Sequence, residues 1–197
     1  MRRKISPAAE LPEGFLYKSD FLTEEEHREL ASGFPTLPFE AYDYHGFTAK
    51  RRVARYGLGY DFGTQSTTPA DPLPEFLLAI RDRAAAFAGF APEGLAQGMV
   101  TEYPPGAPIG WHRDAPQFGT VIGISLLIPA RMRFKPYKKE GKLVSVMLEP
   151  RSIYVMSGPS RWQFQHSIPP LEHLRYSITF RTLRATRRLD QSQRLTK

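Results

Sequence analysis

From Gly98 onward the chain repeats one pattern: a short run of β-branched and aromatic residues, then Gly, Pro or a charged cluster. The runs are Gly98–Tyr103, Val121–Ile128, Met132–Tyr137, Leu143–Leu148, Ser152–Met156, Trp162–His166 and Tyr176–Leu183. Short segments of this composition, bounded by turn residues, read as strands. Seven of them in 86 residues (98–183) predict two facing antiparallel sheets, a jelly-roll. The fold class expected is mainly β (α+β), with helices confined to the N-terminal part.

Upstream, Thr23 followed by Glu26 forms a capping box, so a helix is expected from there to about Gly33, closed by Pro35. Its His27 lies among charges and reads as solvated. Glu75 to Phe87 carries Phe76, Leu77, Ile80, Ala84 and Phe87 at helical spacing and is expected to buttress one face of the sheet. Residues 1–14 read as an irregular leader, Phe15-Leu16-Tyr17 as a short strand, and Gln65 to Pro74 as a loop; His45 reads as a loop residue.

Three features inside the strand-rich half carry chemistry. Trp111-His112-Arg113-Asp114 contains a His-x-Asp, and His166 follows 166 − 114 = 52 residues later. Two imidazoles and one carboxylate bind one face of Fe(II) and leave the other face open to a co-substrate and oxygen. The ordinary alternative is a surface histidine beside a solvated aspartate. The last run alternates, with Arg175, Ser177, Thr179 and Arg181 on one face and Tyr176, Ile178 and Phe180 on the other. An outer strand with one wet face has the same pattern. Two arginines about 20 Å apart on one strand face can also reach a small dicarboxylate from both ends.

The order His-x-Asp, distant His, Arg-x5-Arg resembles the AlkB group of Fe(II)/2-oxoglutarate dioxygenases. The resemblance extends upstream to Tyr103-Pro104-Pro105-Gly106-Ala107 and includes Val155-Met156-Ser157-Gly158 with Arg161-Trp162, covering roughly residues 51–184. It implies a double-stranded β-helix, with Fe(II) held by His112, Asp114 and His166. It also implies 2-oxoglutarate bound by Tyr103 and Arg175, with Arg181 towards the iron end, orienting Asp114 or the co-substrate. Family members often carry Asn where Thr101 and Ser177 stand, so these two shorter hydrogen-bonding residues take the same places. Val146 to His166 looks nearer to the tRNA-acting branch. His173 is a rival ligand, discounted because it lies in the loop from Ile168 to Leu174.

The chain is read as one domain, and the resemblance implies its parts: an extension with a nucleotide-recognition lid over 14–95, a catalytic jelly-roll over 97–184 and a basic tail over 185–197. The lid carries Arg51, Arg55, Tyr60 and Phe62, which with Trp111 form the expected substrate-facing set. Cations interleaved with aromatics hold phosphates and stack on bases, though a surface hairpin with buried rings has the same composition. Arg131, Arg133, Lys135, Lys138 and Lys139 form a second basic cluster, either a phosphate track or an edge strand kept from pairing by charge.

The net charge of +7 suits a polyanion, or serves ordinary solubility. There are no cysteines, which excludes disulfides and thiolate metal sites. No secretion signal or membrane-length apolar run is present, so a cytoplasmic monomer is expected. The function implied is oxidative demethylation of N-alkylated bases in DNA or RNA, releasing formaldehyde, succinate and CO2. The alternatives are a tRNA-modifying hydroxylase or demethylase, and a protein or lipid oxygenase.

Overall fold

The computed structural model describes residues 10–44, 47–61 and 66–184. Strand β1 (Phe15–Lys18) leads into helix α1 (Glu24–Gly33). The capping box forms as expected: the Thr23 hydroxyl accepts from the Glu26 N–H at 3.1 Å, and the Glu26 carboxylate accepts from the Thr23 N–H at 2.8 Å. Strands β2 (Glu40–Tyr44) and β3 (Phe47–Tyr56) pair with each other, as do β4 (Leu58–Asp61) and β5 (Ser66–Pro69). Helix α2 (Glu75–Ala88) ends where Gly89 takes the left-handed conformation at φ 76°.

The strand-rich half supplies β6 (Leu95–Tyr103), β7 (Ile109–His112), β8 (Phe118–Leu126), β9 (Ala130–Pro136) and β10 (Val144–Leu148). After these come β11 (Ile153–Met156), a one-turn helix α3 (Gly158–Trp162), β12 (Phe164–Ile168) and β13 (Arg175–Leu183).

Two sheets make the jelly-roll, the larger in the order β1-β11-β8-β13-β6-β3-β2 and the smaller in the order β10-β9-β12-β7. One core lies between the large sheet and the helices. Ile122, Ile124, Ile178 and Phe180 pack there against Leu30, Phe34, Leu77 and Ile80. A second core lies between the sheets, with Val121, Met132, Phe134, Leu148 and Met156. Ile178 is 0% exposed, and burying a side chain of this kind contributes about 1.5–3 kcal/mol.

The alternation in β13 is real, but its wet face is not. The strand lies in the middle of the large sheet, between β8 and β6, and both faces are buried as far as Phe180. Tyr176, Ile178 and Phe180 join the helix-side core. Arg175, Ser177, Thr179 and Arg181 line a cavity between the sheets. A polar row on a doubly buried strand needs partners or a ligand.

Four other expectations are corrected. Residues 66–69 are a strand, because Ser66–Pro69 pairs with Asp61–Leu58. The run beginning at Trp162 is split: Ser157 opens α3 before the chain extends again at Phe164. His27 is not simply solvated, since its Nε2 accepts from the Leu127 N–H at 3.0 Å. Finally, β9 is not an edge strand, because it pairs with β10 on one side and β12 on the other. The Phe62 side chain, His45 and the tail 185–197 lie outside the described residues, as does the Tyr60 side chain although its backbone belongs to β4.

Candidate active site

Strand β12 lies beside β7 and sets His166 directly opposite His112, with ring centroids 4.2 Å apart. The chain leaves β7 at His112, and Asp114 follows just beyond the strand end. Its carboxylate Oδ2 lies 3.6 Å from His166 Nε2. Ligand atoms of His112, Asp114 and His166 all lie within 4.8 Å of one another. His173 is not part of this cluster and stands exposed in its loop.

Two of the three donors are tied through an atom that does not face the cluster. His112 Nδ1–H donates to the Gly110 carbonyl at 2.9 Å, which leaves its Nε2 lone pair free. Asp114 Oδ1 accepts from Arg181 Nη2 at 3.0 Å and Nε at 3.2 Å, while Oδ2 is buried with no partner. Burial opposes charge on Asp114, but Arg181, His166, Arg161 and His112 together outweigh it and hold the carboxyl well below the usual carboxylate range. Burial and the neighbouring His112 drive the His166 imidazole down to about 3, and burial lowers His112 as well. At neutral pH the cluster is therefore one carboxylate and two uncharged imidazoles, the protonation state that binds a metal. An orphaned carboxylate oxygen beside two uncharged imidazoles fits a divalent ion.

Arg161 holds the aspartate's loop. It is 2% exposed, and its guanidinium donates to four carbonyls: Gly119, Ala115 and Phe118 at 2.9 Å each, and Asp114 at 3.3 Å. A buried cation satisfied only by backbone oxygens clamps residues 114–119 against α3, the turn that leads into β12 and His166. Sequence reading noted Arg161 as part of a motif but gave it no role. Its partners are carbonyls, which no residue type announces.

At the other end of the cavity, Arg175 is 1% exposed. Its Nε and Nη2 donate to Ser125 Oγ at 3.2 and 3.1 Å, and Nη1 is buried without a partner. β6 is in register with β13, so Tyr103 stands beside Arg175 and Thr101 beside Ser177. Tyr103 and Ser177 share a hydrogen bond of 3.3 Å, and the Thr101 hydroxyl is buried and unpaired. A buried guanidinium that meets no carboxylate, ringed by under-used hydroxyls, fits an incoming carboxylate.

Tyr154, missed in the sequence, also lines this end, and burial raises its phenol strongly. β11 is apolar on both faces, so nothing in its pattern singles out the residue. Gly123 is glycine because the Tyr154 ring lies against its Cα, where a Cβ would collide.

Arg51 and Arg55 come from β3 to the cavity wall, where both guanidinia lie over the Tyr42 ring at 4.0 and 5.4 Å from its centroid. Tyr42 is a second residue the sequence did not single out. Trp111 turns to the opposite face of β7, under Lys135 at 4.6 Å and Arg133 at 5.1 Å, and does not line the cavity.

Residues 14–184 match the model of the 2OG-Fe(II) oxygenase superfamily. The chain is 29% identical over 181 residues to the alkylated DNA repair protein ALKBH8 homolog of Arabidopsis thaliana, covering 79% of this chain and 51% of that protein. It is also 29% identical over 147 residues to the α-ketoglutarate-dependent dioxygenase AlkB of Escherichia coli K12, covering 69% of this chain and 66% of that one. It thus spans about half of the first relative's length. The solved structure of OsALKBH1 superposes with a TM-score of 0.66 at 17% identity, over 88% of this chain and 100% of that one, a likeness of fold. Among the described residues no helix is long and apolar enough to cross a membrane. A family match over nearly the whole described chain, joined to a cavity with a metal-ready cluster at one end and an unpaired guanidinium at the other, has one reading: the chain is an AlkB-like member of the 2OG-Fe(II) oxygenase superfamily, an enzyme that works with Fe(II) and 2-oxoglutarate.

Proposed function

We propose that this oxygenase removes alkyl groups from nitrogen atoms of nucleobases in DNA or RNA. The observation that carries the reading is the wall facing the metal cluster, where Tyr42 lies under Arg51 and Arg55. A flat ring beside two guanidinia suits a flat base attached to a phosphate.

His112, Asp114 and His166 would hold the iron. Arg175 would take the distal carboxylate of 2-oxoglutarate, with Tyr103, Thr101 and Ser177 able to donate beside it. Arg181 keeps Asp114 ionised and aimed, which leaves Oδ2 without a partner and available to the ion that the cluster would hold. When bound, Fe(II) and 2-oxoglutarate supply oxygen-dependent hydroxylation of a C–H bond, with succinate and CO2 formed. A hydroxylated N-methyl group then leaves as formaldehyde. Arg51 and Arg55 anchor the phosphate, and Tyr42 orients the base. On a duplex the base must first leave its stack, at a cost of about a few kcal/mol.

The test is product analysis by mass across methylated DNA oligomers and methylated tRNA. Loss of 14 Da per methyl group with formaldehyde release, in the presence of Fe(II) and 2-oxoglutarate, is the expected result (14 Da being roughly one CH2). Gain of 16 Da on a tRNA base, about one oxygen atom, indicates the hydroxylase alternative. Succinate formation with every oligomer returned unchanged contradicts both and points to a protein or lipid substrate.

A further inference from the structure

The outer face of the small sheet is a strip of cations with no acid to balance it. β9 points Arg131, Arg133 and Lys135 outward, while Ala130, Met132 and Phe134 point into the core. β7, β9, β10 and β12 contain no Asp or Glu. From Tyr103 to Leu148 seven Lys and Arg stand against two acids, Asp114 and Glu140. Among the described residues none of these three cations has an ion-pair partner. Protection of an edge is not their purpose, since β9 is paired on both sides.

The strip is also aromatic, and it leads to the active site. Trp111 lies on the same face under Lys135 and Arg133, one residue before His112. Beyond β9, the Tyr137 ring carries Arg113 at 3.7 Å and Lys138 at 5.3 Å. Arg113 lines the cavity. Cations and rings thus lie in two groups, one at Trp111 and one at Tyr137, the second including the cavity-lining Arg113.

We infer that this outer face is the track for the sugar-phosphate backbone of the nucleic-acid strand flanking the reacting nucleotide, with Trp111 offering a stacking platform. The inference rests on the proposed nucleic-acid substrate. Unpaired cations on a rigid strand neutralise phosphates without first breaking ion pairs, and base stacking on an aromatic tolerates any sequence.

The test compares the wild-type chain with Arg131→Gln/Arg133→Gln/Lys135→Gln. Binding of a labelled single-stranded methylated 20-mer (a length of roughly the 4–16 nucleotides of a binding site plus flanks) is titrated with salt. Three lost phosphate contacts should lower the slope of log K against log salt by about 2, and weaken binding near 0.1 M salt by roughly 100-fold. Turnover of a methylated trinucleotide, too short to reach the strip, should be unchanged. Arg131→Lys/Arg133→Lys keeps the charge and should keep the slope. A triple variant with wild-type slope and affinity overturns the inference and leaves the substrate reading intact. A wild-type chain that binds no DNA or RNA oligomer overturns both. Equal melting temperatures and equal substrate-free consumption of 2-oxoglutarate show that any loss is not misfolding.

Discussion

Arg175 and Arg181 are the same residue type on the same face of the same strand, six residues apart, and both are buried or nearly so. Among the differences in their surroundings, one is of charge. Arg181 meets the Asp114 carboxylate at 3.0 Å. Arg175 donates to the hydroxyl of Ser125, lies over the Tyr103 ring at 5.0 Å, meets no carboxylate and leaves one nitrogen without a partner. One guanidinium is part of the fold's internal charge balance, and the other waits for a charge from outside. A buried ion pair broken by removing one member is costly, whereas a buried charge with no counter-ion is a liability the folded chain tolerates for a ligand. Under the proposed function, the contrast separates a residue that builds the site from one that reads the co-substrate.

Substitutions can break or sharpen that contrast. The largest effect is expected from His166→Ala, which removes a metal donor: succinate formation should fall to background, and the rise in melting temperature on adding Mn(II) should vanish. Arg181→Met should follow, destabilising the metal-free chain by about 3–5 kcal/mol because Asp114 is left as a buried, unpaired charge. Denaturant unfolding measures this, and a loss under 1 kcal/mol (about the value of an exposed pair) would mean that the pair is not buried in solution. Arg161→Lys keeps the charge but not the fork, so residues 114–119 loosen. Metal affinity should drop by roughly 10–100-fold, as for other groups that orient a ligand, with the KM for 2-oxoglutarate little changed. A loss of stability with metal affinity intact would make Arg161 structural only. The smallest effect is expected from Tyr154→Phe, a several-fold rise in the KM for 2-oxoglutarate, about 1 kcal/mol for one hydrogen bond.

Much of this was legible in the sequence because strand periodicity is local. The alternation from Arg175 to Arg181 places four side chains on one face without any knowledge of the fold. The His-x-Asp and the later His166 needed only a closed sheet to meet, and the runs from Gly98 onward promised one. What was hidden depends on contacts between distant segments. Nothing local distinguishes Arg175 from Arg181, since the difference lies in Asp114, 67 residues from Arg181. Tyr154 sits on a strand apolar on both faces, and Arg161 acts through carbonyls. The α3 turn was hidden because Trp162 and Phe164 are strand-forming residues, while Ser157 and Ser160 cap the helix and Pro159 suits its first turn. The cations of β9 were ambiguous for a similar reason, as only the pairing on both sides rules out an edge.

The most direct measurement is the thermal stability of Arg175→Met beside the wild type, each alone, with Mn(II), and with Mn(II) plus 2-oxoglutarate without oxygen. Without ligands the variant should be as stable as the wild type or more so, since it loses a buried charge that has no counter-ion. Mn(II) should stabilise both alike, and 2-oxoglutarate should add a further shift to the wild type only. A variant that is strongly destabilised without ligands, or that keeps the wild-type shift with 2-oxoglutarate, would show that Arg175 belongs to the fold's own charge balance and that the co-substrate binds elsewhere.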